Sequence, residues 1–196
     1  MISSIILAAG QSKRMLLGNK LLLEKNNIPI IKTTLEKIKA SKVQEIIIVL
    51  GKDSELILNK IKSPDLIVSI NKNFNDGISS SIKNGIKNIN SSSLGVMICL
   101  GDMPLIKTST YNKIIDAFYN YNNKNIIPCF NKNRKGNPVL FARSYFEKLM
   151  KIKGDEGAKK LIHNKPNDFI KISIPDRGIL EDIDNEQQYY SFIQNE

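Results

Sequence analysis

Histidine and cysteine are scarce in this chain, and their scarcity removes several kinds of chemistry. The one histidine, His163, falls late in a helical pattern with no nucleophile patterned beside it, so no Ser-His-Asp or Cys-His arrangement can be assembled. A surface or helix C-terminal role is expected for it. The two cysteines, Cys99 and Cys129, lie in separate apolar stretches with neither a CxxC spacing nor partner histidines. Buried free thiols are therefore expected rather than a disulfide or a metal site, which fits a reducing compartment. Long apolar runs are also missing: none approaches membrane-spanning length. The first, Ile5 to Ala9, is too short for a signal-peptide core and follows no basic residue. A cytoplasmic protein without membrane contact is expected. No internal repeat of solenoid length is visible.

What remains is an ordinary globular composition. A chain of 196 residues with 41% hydrophobic and 24% charged residues has material for one domain, residues 1–196, with a sizeable core. The formal net charge of +10 raises the question of nucleic acid, but the lysines are scattered. Their densest cluster is only Lys132, Arg134 and Lys135. A solvated basic surface that attracts small anionic substrates is the expectation, with no nucleic-acid partner.

Isoleucine- and valine-rich runs bounded by turn residues predict strands at 4–7, 45–50, 66–70, 96–100, 125–130, 138–141 and 169–174. Helical patterns lie at 33–40, 54–62, 79–89, 109–121, 144–151, 156–164 and 186–193. Regular alternation with near-continuous apolar strands predicts an α/β fold, a Rossmann-like three-layer sandwich with a mostly parallel central sheet. In such sheets ligands bind at the carboxyl ends of the strands, so the loops after strands carry the candidate chemistry.

The loop after the first strand reads Leu7-Ala8-Ala9-Gly10-Gln11-Ser12-Lys13-Arg14-Met15, then Asn19-Lys20-Leu21-Leu22-Leu23. Small residues at Ala8, Ala9 and Gly10 let backbone amides approach phosphate oxygens, and Arg14 and Lys20 add positive charge. The spacing is neither a Walker A loop nor GxGxxG. A triphosphate clamp and a plain basic loop behind an edge strand both account for it. In the segment from Asn71 to Gly85, Gly77 opens a helix whose free amides and serines can donate to base or phosphate oxygens. Serine capping accounts better for Ser79 than for Gly77 and Ser81 together. Gly101-Asp102-Met103-Pro104 places a carboxylate at a strand end, where it can bind magnesium rather than merely shape a turn. Asp182 and Asp184 fall on one face of an extended segment, Asp182 reading as structural and Asn185 as a helix cap.

These motifs, in this order, resemble the MobA-like nucleotidyltransferases, and especially the molybdenum cofactor cytidylyltransferases. The first loop differs in having Leu16 and Leu17 where that family usually has glycines, with Gly18 just beyond. The resemblance implies a fold of the nucleotide-diphospho-sugar transferase type. It implies nucleotide binding by Leu7, Ala8, Ala9, Gly10, Arg14, Lys20, Asn71, Gly77 and Ser81, catalysis by Arg14, Lys20 and Asp102, and Mg2+ on Asp102 and Asp184. It further implies an acceptor side at Gly136, Asn137, Pro138 and Asp155, although a turn before a strand and an Asp155 N-cap account for those residues too. The implied substrates are CTP and molybdopterin, the product serving a molybdenum hydroxylase of the xanthine dehydrogenase class. Transfer of GMP, a sugar-phosphate acceptor, and a non-catalytic carrier of the cofactor are the competing readings.

Overall fold

The computed structural model describes residues 1–131 and 134–194. Lys132, the first member of the basic cluster, lies outside the described residues. The described residues form ten strands: β1 (Ile2–Ala8), β2 (Glu24–Lys25), β3 (Ile28–Pro29), β4 (Glu45–Leu50), β5 (Leu66–Ile70), β6 (Gly95–Leu100), β7 (Asn125–Phe130), β8 (Arg134–Lys135), β9 (Val139–Ala142) and β10 (Phe169–Ser173). The α-helices are α1 (Ile30–Lys39), α2 (Ser54–Ile61), α3 (Ile78–Ile86), α4 (Thr108–Asn120), α5 (Phe146–Lys151), α6 (Lys159–Asn164) and α7 (Glu186–Gln194). No described helix is long and apolar enough to cross a membrane.

The central strands are apolar on both sides because both of their faces are covered. Along β1, Ile2, Ile6 and Ala8 join a core with Ile31 and Leu35 of α1, Ile57 of α2 and Phe118 of α4. Ile5 and Leu7 point the other way, into a second core with Ile82 of α3 and Leu149 of α5. The strand period of two divides β4 and β6 between the same two layers. This is the three-layer arrangement that the unbroken apolar runs predict.

The sheet runs in the order β10-β7-β9-β6-β1-β4-β5, with β8 beside β7. β1 pairs parallel with both β4 and β6. β9 runs antiparallel to β6 and β7, so the sheet is mixed though mostly parallel. From β1 the chain goes outward through β4 and β5, then returns across β1 to β6. The connections leaving β1 and β6 part at that point and open a crevice at their carboxyl ends. β1 is thus an interior strand, which removes the reading of its loop as a basic turn behind an edge.

Several boundaries differ from the sequence expectation, each for a local reason. α1 starts at Ile30, directly after Pro29, whose φ of −60° already suits helix entry. The helix expected from 156 is interrupted by Gly157 at φ +54°, so a 3-10 turn at Gly154–Glu156 precedes α6. β9 begins at Val139 because Pro138 has no N–H to offer a ladder. The β2–β3 hairpin was not anticipated; its turn is Asn26-Asn27 with φ of +53° and +62°, a conformation asparagine tolerates. Both cysteines are buried free thiols, as expected. Cys99, bordered by Ser4, has its thiol pushed up to about 12 by burial.

Gly85 lets α3 lie directly on β1. A Cβ there would stand 2.6 Å from Cγ2 of Ile5. Alanine in a helix is favoured over glycine by about 1 kcal/mol, but overpacking a close-packed core costs about 1–3 kcal/mol. The clash with a β-branched residue on a central strand decides the sign. Gly85→Ala is expected to unfold at lower urea concentration with an unchanged m-value, and a stabilised variant would show that α3 can shift away from the sheet.

Candidate active site

At the carboxyl ends of β1 and β6 lies a cavity of about 440 Å³. Its walls include Leu7, Ala8, Ala9, Gly10, Arg14 and Lys20 from the β1 loop, Gly77 and Ser81 from α3 and its entry, and Asp102, Asp155 and Asp184. The β1 loop is shaped by its own polar residues. Ser12, at φ +51°, accepts through its carbonyl from the Met15 N–H and through its hydroxyl from the Lys20 N–H at 3.1 Å. Among the described residues, the N–H groups of Gly10, Gln11 and Lys13 have no hydrogen-bond acceptor. Open space surrounds the position where a Gly10 Cβ would be. Free amides beside open space are what an anion cradle requires. Leu16 is 92% exposed, so the leucines that replace the usual glycines turn outward to solvent.

Lys20 leads a 3-10 turn capped by Asn19, whose side chain accepts from the Leu21 N–H at 3.0 Å and donates to Asp53 at 3.1 Å. The Lys20 ammonium donates to Asp102 and, at 2.6 Å, to Asp184. Burial by itself would lower the Lys20 pKa, but the two carboxylates outweigh it and hold the pKa above its ordinary value. For Asp184 burial acts upward, and Lys20 and Arg14 reverse it to a net depression. Arg14 reaches Asp184 at 2.8 Å with a largely exposed side chain.

Asp184 comes from the far end of the chain, and specific bonds put it there. The Ile183 N–H donates to the Asp102 carbonyl at 3.0 Å. Gln188 accepts from the N–H groups of Asp184 and Asn185, and Asn185 accepts from the Gln188 N–H, a reciprocal cap that starts α7. α7 is held in turn by Phe192, packed with Ile30 and Ile183, and by Tyr189 donating to the Glu24 carbonyl of the hairpin. Upstream, the buried Asp176 accepts from Thr110 and the Lys107 N–H, docking the return segment on the loop after Asp102.

Asp182, read from sequence as structural, stands in the same group. Ligand oxygens of Asp102, Asp182 and Asp184 lie within 4.8 Å of one another. Ile183 is buried between them, so the two neighbouring carboxylates share the opposite face of an extended segment. Burial, then Asp184 and Asp102, push the Asp182 carboxyl upward. Asp102 Oδ1 is buried and has no hydrogen-bond partner among the described residues. An orphaned carboxylate oxygen in an all-oxygen cluster is the donor chemistry of a hard divalent cation.

Other candidates fall elsewhere. Asn71 is buried behind the cleft wall, where its amide donates to Ser80 and Ser81 and its carbonyl accepts from the Asn73 N–H. It shapes the α3 entry and does not line the cavity. Ser79 is buried and makes no cap; Ser80 turns its hydroxyl to the Gly77 carbonyl. Gly136 and Asn137 are tied to the Arg177–Leu180 turn: a Gly136 Cβ would stand 2.5 Å from the Ile179 carbonyl oxygen, and the Asn137 N–H donates to that oxygen. Neither they nor Pro138 lines the cavity. His163 is exposed on α6. Phe74, Asn75 and Ile78, which no motif singled out, do line it.

Asp155 does not cap its own helix. Its carboxylate accepts from the Ile78 N–H at 3.2 Å, capping α3 from a different segment. Gly77 at φ +89° admits this approach, since a Cβ there would stand 2.5 Å from Asp155 Oδ1. Losing such a cap costs about 1 kcal/mol. Asp155→Ala is expected to lose about that much stability in urea titration, while Asp155→Asn, which keeps an acceptor, loses less. Equal losses would show that charge rather than capping matters.

Residues 4–169 match the MobA-like NTP transferase domain, a stretch that ends before Asp182 and Asp184. Nicotine blue oxidoreductase of Paenarthrobacter nicotinovorans is 21% identical over 98% of this chain and 96% of its own length. A probable molybdenum cofactor guanylyltransferase of Thermococcus sibiricus is 28% identical over 87% of this chain and 86% of its own. Rv0371c of Mycobacterium tuberculosis, solved as a complex with manganese, superposes with a TM-score of 0.84 at 21% identity, covering 100% of this chain and 99% of that one. That last likeness is one of fold. With the family match spanning most of its length and the carboxylates, cations and free amides gathered at one crevice, the chain belongs to the MobA-like NTP transferase family of nucleotidyltransferases.

Proposed function

We propose that the protein transfers CMP from CTP to the terminal phosphate of a molybdopterin cofactor, giving molybdopterin cytosine dinucleotide and pyrophosphate. The observation that carries nucleotidyl transfer is the convergence of Asp102, Asp182 and Asp184 with Lys20 beside the free amides of the β1 loop. In the reaction an acceptor phosphate oxygen attacks the α-phosphorus in line. A new O–P bond forms as the bond from the α-phosphorus to the bridging oxygen breaks, and pyrophosphate leaves with the electron pair. The nucleophile is already ionised at neutral pH, so the site needs no general base. Loop amides at Gly10 to Lys13 receive phosphate oxygens, and Lys20 and Arg14 offset the charge that develops on the leaving group.

Asp102, Asp182 and Asp184 would hold Mg2+. When bound, the ion supplies Lewis-acid polarisation and neutralises phosphate charge. Molybdopterin as acceptor and cytosine as base are carried by the family resemblance of the Leu7 to Gly10 loop, and a molybdenum hydroxylase would use the product. The Thermococcus relative, named as a guanylyltransferase, favours GTP as the second reading. Nucleotidyl transfer is preferred to the redox chemistry in the Paenarthrobacter relative's name because carboxylates and cations line the cleft.

Pyrophosphate release from CTP, GTP, ATP and UTP with isolated molybdopterin and Mg2+ tests the reading. CTP is expected to lead. A clear GTP preference moves the protein to the guanylyl reading, and turnover with no nucleotide leaves a carrier. Asp102→Asn is expected to fold and to lose roughly a hundredfold or more in turnover, at least about 2.7 kcal/mol of transition-state stabilisation. Combined with Asp184→Asn it is expected to lose much less than the product of the single effects, because groups serving one ion act as a unit. Gly10→Val, whose side chain would enter the open space beside the loop amides, is expected to abolish nucleotide binding without unfolding. Normal CTP binding by that variant would place the phosphates elsewhere.

A further inference from the structure

Lys20 occupies the carboxylates that a cation would need. Its ammonium bonds Asp102 and, at 2.6 Å, Asp184, and its side chain is only 13% exposed. The turn that bears it is anchored independently, through Ser12 to the Lys20 N–H and through Asn19 to the Leu21 N–H and Asp53. A fixed backbone with a flexible four-carbon stem lets the ammonium change partners without rearranging the loop. One buried carboxylate oxygen, Asp102 Oδ1, is left without a hydrogen-bond partner among the described residues.

We propose that Lys20 is the resident counter-ion of this carboxylate group, making divalent cation and nucleotide bind together rather than independently. This rests on the reading of the cleft as a nucleotidyl-transfer site. A divalent ion that takes the oxygens Lys20 holds on Asp102 and Asp184 competes with the ammonium, so an ion arriving alone binds at the cost of those two bonds. Among the described residues the only other cationic side chain on these acids is Arg14, itself paired with Asp184. A triphosphate in the adjoining loop changes the balance, because its oxygens give Lys20 a new partner as the ion takes the carboxylates. Lys20 is therefore an exchange element with two anionic seats. By linkage, nucleotide raises cation affinity by the same factor as cation raises nucleotide affinity.

The test is Mn2+ titration of the nucleotide-free protein, followed by the electron paramagnetic resonance of free Mn2+. Lys20→Met is expected to bind Mn2+ about tenfold or more tightly than the wild type, the equivalent of about 1.4 kcal/mol, while its CTP affinity at saturating Mn2+ falls. Lys20→Arg, which keeps a cation in place, is expected to stay within about threefold of the wild type, less than about 0.7 kcal/mol. Should Lys20→Met not fold, Lys20→Gln, which removes the charge and keeps a donor, carries the comparison, with a larger Mn2+-induced rise in melting temperature than the wild type. Equal or weaker Mn2+ binding in the neutral variants overturns the exchange role and leaves the nucleotidyl-transfer reading intact. Adding Asp102→Asn to Lys20→Met separates the two: the gained affinity should vanish, and its persistence would show the ion bound elsewhere, which overturns both.

Discussion

Carboxylates brought within a few ångströms of one another in a partly covered crevice repel unless a cation stands among them. Asp102, Asp182 and Asp184 meet in this way, and Lys20 bonds two of them. Much of the nearby architecture serves that meeting. The Asn19 cap sets the direction of Lys20, the Ile183 N–H on the Asp102 carbonyl brings the return segment into register, and the Gln188 cap fixes the start of α7. Each bond is modest by itself, about 0.5–1.5 kcal/mol net for a typical one. Together they decide where the charge stands.

The sheet places this charge at a topological switch. Because β1 lies between β4 and β6 and pairs parallel with both, its loop and that of β6 diverge around the cavity at the strand ends. The helices on either face bury the alternating apolar side chains of the central strands, so the scaffold beneath the crevice is close-packed and rigid. A loop carrying free amides and a basic turn can then be polar and open without costing the core anything.

Asp155 and Asn71 show a second use of polar residues. Each organises the entry of α3: Asp155, which also lines the cavity, caps its first amide, and Asn71 holds two of its serines. Gly136 and Asn137 likewise grip the Arg177–Leu180 turn, which leads into the segment carrying Asp182 and Asp184. Motif residues near a site can thus act through backbone placement, and side-chain type alone does not separate that role from direct contact.

Sequence by itself determined what depends on local period and local chemistry. Apolar runs without alternation specified strands buried on both faces, which located most of the sheet to within a residue or two. Asp102 at a strand end and the small-residue loop at Ala8 to Gly10 were legible for the same reason: a strand followed by a turn puts its last side chains at the crevice. The Asn26-Asn27 turn carried a readable hairpin signal, but strands of two residues are too short to show a period. Only the tertiary structure decided that β1 is interior, that Asp182 joins Asp102 and Asp184, that Lys20 bonds two of these acids, and that Asp155 crosses to α3. Those facts depend on contacts between residues far apart in the chain, up to 164 positions in the case of Lys20 and Asp184. No local pattern encodes such contacts, because they come from how the layers stack and where the chain returns.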